Sequence, residues 1–254
     1  MPIHETALVD SRATVDPSAV VEANVRISAD TVIGERARIC ADTVIGERVK
    51  IGANTRVGKA RDALSDASNS SVYIDDDTHV GVGVTIEDGA MIGGYTIIGD
   101  RAVINEFITI GGHVEIGEGV MISDHVWINA GTSIGEKASL GARVEISTGC
   151  EICSGVAVGN GAKIGENTRV GPQAHIGEDA EIADDVVIDQ AVEIGERVVI
   201  NRGVEVREDA CISKDASVGS FSIIKERAVV GAAERVGDCE VIEATPAPKR
   251  GLRR

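Results

Sequence analysis

Residues 98–134 read IGDRAVINEFITIGGHVEIGEGVMISDHVWINAGTSI, with isoleucine at every sixth position from Ile98 to Ile134. The spacing reaches far beyond this stretch. Steps of six from Ile3 meet an aliphatic each time as far as Val57; the count restarts at Ile74 and arrives at Ile242 without a miss. A fixed internal period of this kind marks a repeat architecture and decides the fold. Four residues after each aliphatic comes a small or β-branched residue, as at Ala37, Thr43, Val49 and Ala90, and the residue directly after it is often glycine, as at Gly34, Gly46, Gly99 and Gly135. This predicts a short strand with alternate residues pointing inward, then a bend where glycine relieves backbone strain. Aromatics make up only 2% of the chain, so the core is built from branched aliphatics, which favour strands.

The pattern resembles the hexapeptide-repeat family of left-handed parallel β-helices, over about residues 3–243. The resemblance implies an all-β fold in which three hexads make one triangular coil, wound against the usual right-handed crossover. Ten repeats before the interruption and twenty-nine after it give about thirteen coils. At roughly 4.8 Å per stacked strand the prism is about 60 Å long. Residues eighteen apart then lie one above another. The β-helix domain is assigned to residues 1–244, with GKARDALSDASNSSVY at 58–73 expelled from a corner as a loop. Residues 245–254, ending in PKRGLRR, read as a disordered basic tail.

A net charge of −16 repels phosphate backbones and anionic headgroups, so the sequence excludes nucleic acid as a partner of the main body. The first residues lack the pattern of a signal peptide, and no window is long and apolar enough for membrane insertion, so a cytoplasmic location is expected. Five scattered cysteines, Cys40, Cys150, Cys153, Cys211 and Cys239, read as reduced thiols.

With the inward aliphatic as position one, His113 and His125 both fall at position four, a corner of the prism, while His79 and His175 fall at position six on flat faces. Stacking by eighteen puts Phe107 beneath His125, Arg143 above it, and Glu106 beneath Asp124. A histidine shelved on a ring beside two carboxylates is a candidate general base oriented by an acid, so His125, His113, Asp124 and Glu106 are the candidate catalytic residues. Position six is apolar from Met91 through Ile97, Val103, Met121 and Trp127, and later becomes acidic. Such a belt predicts a subunit interface or ligand groove, with Trp127, Phe107, Arg143 and Met121 as candidate substrate-binding residues.

The opening IHETALVD and INEFITI at 104–110 are similar to the acyltransferases of this family that act on UDP-N-acetylglucosamine, where the second stretch reads I-R-E-F-V-T-I. That resemblance implies transfer of an acyl chain from a CoA or carrier-protein thioester, as co-substrate rather than permanently bound cofactor, to a sugar or nucleotide sugar. It also implies a homotrimer with sites between prisms. In the family register V-A-H-D-C, which holds the catalytic histidine, corresponds to residues 128–132, so Ala130 stands at the histidine position. ISDHVWINAG at 122–131 is similar to the I-G-D-N-V-W-I-G-A-G segment of sugar O-acetyltransferases. The three-histidine zinc pattern of gamma-class carbonic anhydrases is not matched, because His113 and His125 are twelve apart and His79 is in another phase; no metal is expected. Two function classes follow: an acyltransferase, or a non-catalytic spacer, assembly module or idealised derivative of the fold.

Overall fold

A computed structural model describes residues 3–58 and 72–244. The loop assigned to 58–73 and the basic tail fall largely or wholly outside the described residues. Strands of two residues recur every six positions and pair in parallel with the strand eighteen residues on, as Trp127 pairs with Thr109 below and Glu145 above. Two sheets of 13 strands and one of 12 form the faces of a left-handed parallel β-helix. The first face contains Leu8–Val9, the second Thr14–Val15 and the third Val20–Val21. Ile3 bridges to Val21 and begins a further rung of the third face. The insertion interrupts the corner between third and first faces: Gly58 still bonds to Ile86, and Val72 is buried just before the strand Tyr73–Ile74.

Positions one and five fill the prism. Ile122, Val126 and Ile128 are each at most 1% exposed, and the same two positions repeat through the chain as one continuous core. Branched aliphatics suit this interior because three faces converge on a narrow axis with no room for rings. Both ends fray: Val9, Val15 and Ile242 are only partly buried. In the last coil Glu234 and Glu240 take position five, and both are exposed.

The bends work differently from the sequence expectation. Position four, not the glycine at position two, carries the left-handed backbone: 26 non-glycine residues there have positive φ, including His113 at 57° and His125 at 60°. Several turns are closed by a bond from position five to position two, as Ala138 N–H donates to the Gly135 carbonyl at 3.3 Å, the arrangement that needs positive φ at its third residue. The position-two glycine answers a different demand. A Cβ on Gly99 would lie 2.7 Å from the Glu118 nitrogen in the next coil.

Inside the corner between first and second faces runs a column of hydroxyls. Thr78, Thr96 and Thr132 donate to the carbonyls of Gly93, Gly111 and Ser147 at 3.3, 3.1 and 3.0 Å, and Cys150 continues the series to Gly165. No described buried side-chain nitrogen or oxygen lacks a partner.

Candidate functional site

His125 sits at the corner between third and first faces. Its N–H donates to the Glu106 carbonyl at 3.0 Å, and its ring lies on Phe107 with centroids 5.1 Å apart and planes 7° from parallel. The shelf expected from the eighteen-residue stack is therefore present. Asp124 supports the backbone of the coil below, where its Oδ1 accepts the Glu106 N–H at 3.3 Å. Asp100, Asn160 and Asp184 hold the equivalent N–H groups of Val82, Ala142 and Glu166, so this is a device of the fold repeated at many turns. Arg143 stands one coil above His125, and its N–H donates to the Asp124 carbonyl at 3.0 Å.

His113 occupies the opposite edge of the first face. Its ring stacks on Tyr95 at 4.9 Å, with planes 2° apart. Tyr95 in turn stands above Asp77, which takes a two-pronged contact from Arg48 at 2.6 and 2.9 Å. That guanidinium holds the Asp77 carboxyl below the usual carboxylate range, with a further hydrogen bond from Tyr95. The spacing of 95 and 113 is eighteen, so the same rule that found Phe107 also finds Tyr95.

Between these two edges the first face carries Val44, Tyr73, Met91, Thr109 and Trp127 in direct register. Met91 is 55% and Trp127 57% exposed. Four of the chain's five Phe, Tyr and Trp residues thus lie on one face or its two edges, within four coils. The apolar belt itself is distributed: Met121 and Val103 pair on the third face, and Ile97 lies on the second. Met121 and Trp127 therefore flank the His125 edge from either side. His113 and His125 are not brought together within one chain. Ala130 lies on the His113 edge, one coil higher, where the next residue, Gly131, donates to the Gly112 carbonyl at 3.1 Å.

The cysteines stand apart from this surface. Burial, aided by Glu22, pushes the Cys40 thiol up to about 11, and burial likewise raises Cys150 and Cys153. These are poor nucleophiles at neutral pH. Among the described residues no three of His, Cys, Asp and Glu are arranged to hold a metal ion. No described helix is long and apolar enough to cross a membrane.

Two stretches, residues 24–59 and 161–190, match the family described as Bacterial transferase hexapeptide (six repeats). These two stretches make up about a quarter of the chain and share that family's six-residue repeat. No curated protein matches the sequence of the chain. Among solved structures, the hexapeptide-repeat chain is similar to UDP-N-acetylglucosamine O-acyltransferase from Moraxella catarrhalis, at 20% identity over 66% of this chain and 68% of that one, with a TM-score of 0.50. It is also similar to the Arabidopsis UDP-N-acetylglucosamine acyltransferase, at 16% identity over 95% and 72% of the two chains, with a TM-score of 0.42. A mutant of perosamine N-acetyltransferase from Caulobacter crescentus, in complex with CoA and GDP-perosamine, matches at 17% identity over 74% and 52%, with a TM-score of 0.33. At these identities the likeness is one of fold.

Proposed function

We propose that this hexapeptide-repeat protein is an acyltransferase, moving an acyl or acetyl group from a CoA or carrier-protein thioester to an amine or hydroxyl of a sugar or nucleotide sugar. The observation that carries the reading is the concentration of exposed rings and two ring-stacked histidines on one face of an otherwise aromatic-poor, acidic prism. In this reading the protein works in the cytoplasm as a homotrimer, with the first face and its edges lining a cleft between copies. His125 takes the proton from the acceptor, which attacks the thioester carbonyl; the C–S bond breaks and the departing thiolate receives a proton from the imidazolium. Phe107 fixes the plane of the imidazole. Glu106 and Asp124 are the candidate acids beside it, and His113 is the second candidate base. Trp127 and Met121 line the path of the donor arm, with Arg143 offering a cation above His125.

The alternative, a non-catalytic spacer or assembly module, draws on Ala130 at the family's histidine position. Turnover of acyl-CoA and acyl carrier protein against a panel of nucleotide sugars separates the two. Replacing His125 with Asn keeps a residue that tolerates positive φ, and a loss of about 100-fold or more in kcat is expected if His125 is the base. No turnover in the parent protein, joined with no CoA binding by calorimetry, favours the spacer. Light scattering should report about three times the 26.4 kDa of one chain.

A further inference from the structure

Position-four side chains lean back over the corner of the preceding coil. Wherever that preceding residue is glycine, its missing Cβ marks what covers it: Lys137 Cγ lies 3.8 Å from the Gly119 site, Gln173 Cγ 3.6 Å from Gly155, and Phe221 Cδ1 2.6 Å from Gly203. Gly131, with φ of 69°, has nothing within 4 Å. The cause is Gly149 directly above it, which has no side chain to send down. His113 is therefore a ring stacked on Tyr95 below and uncovered above, at the foot of one empty layer of about 4.8 Å that Asn167 closes from the top, its Oδ1 lying 2.9 Å from the Gly149 Cβ site.

We propose that the open face of His113 is the floor of a binding slot for a planar, uncharged heteroaromatic ring of nucleobase size. The column already accepts parallel rings 4.9 Å apart, within the spacing at which aromatic pairs attract, and the next position in that column is vacant. The turns bordering the vacancy contribute Asn129, Ser147 and Thr148, with Asn167 above. These uncharged hydrogen-bonding groups suit the polar edge of such a ring better than a phosphate or an ammonium ion. The His125 stack differs at the same level, because Arg143 follows it one coil higher. The slot does not depend on acyl transfer, since ring binding needs no turnover.

The test is an NMR titration of the full chain with uridine, adenosine or ribose, following the ring protons of His113 and using those of His125 as an internal reference. Saturable upfield shifts at His113 are expected with both nucleosides and not with ribose. Gly131→Asn places a side chain in the empty layer at a φ that Asn accepts, and should abolish the response while leaving circular dichroism unchanged. The proposal is overturned by any of three results: no His113 shift with either nucleoside at millimolar concentration, equal shifts at His125, or an undiminished response in Gly131→Asn.

Discussion

At position four the backbone demands positive φ, and 26 described non-glycine residues bear that strain. Lys137 stands at φ 57°, and its side chain makes no hydrogen bond or ion pair among the described residues. Lys137→Gly should therefore be neutral or stabilising by up to about 1 kcal/mol. Gly99→Ala should do the reverse, because its Cβ meets backbone in the next coil; a loss of about 1–3 kcal/mol is expected from overpacking. Urea melts of the two variants check both signs. This distinction was not legible in the sequence, which marks glycine but not its reason. A glycine at position two and one at position four look alike in a string of letters, while one avoids a collision and the other adopts a conformation.

The elements of this fold are two-residue strands, too short to hold themselves, so the corners between them carry much of the specification. The hydroxyl column beside the first face is the clearest case. Thr132→Val keeps the shape but leaves the Ser147 carbonyl without its donor, at an expected cost of about 1–3 kcal/mol in a thermal melt. Thr109→Val, on the outer surface, should change little by comparison. At this scale the sequence was highly informative. The six-residue period located every strand, and the eighteen-residue stack placed Phe107 under His125. It applies equally to Tyr95 and His113, a pair to which no neighbouring carboxylate motif draws attention. The distribution of Met121 and Trp127 over two faces also follows from the period. What the period does not encode is the second use of Asp124, whose carboxylate serves a neighbouring coil, nor the vacancy over Gly131, which exists only because two glycines coincide one coil apart.

At the scale of the whole coil stack, all described strands run in parallel, and the first and last described coils present matching edges. Among the described residues the carbonyls of Ala7, Val9, Ala13 and Val15 have no donor, and the N–H groups of Arg235, Gly237, Val241 and Glu243 have no acceptor. A second copy set on the last coil would continue all three faces in register. At the first coil Asp10 and Asp16 hold the N–H groups of Arg12 and Ser18, both at 2.8 Å, leaving those carbonyls open. At the last coil Glu234 and Glu240 occupy the inward position that is small, apolar or hydroxyl-bearing in every earlier coil, and Glu234 also holds the Gly231 N–H at 2.6 Å. Covering these carboxylates with another prism would strip them of water at a cost of several kcal/mol each. Replacing both with Val should yield rods whose lengths, seen by electron microscopy, are multiples of about 60 Å. Particles of one unchanged length would show that the two glutamates are not what stops growth. A solenoid whose first and last described coils match is a template for its own polymerisation, and the role expected of the two acidic side chains is to oppose it.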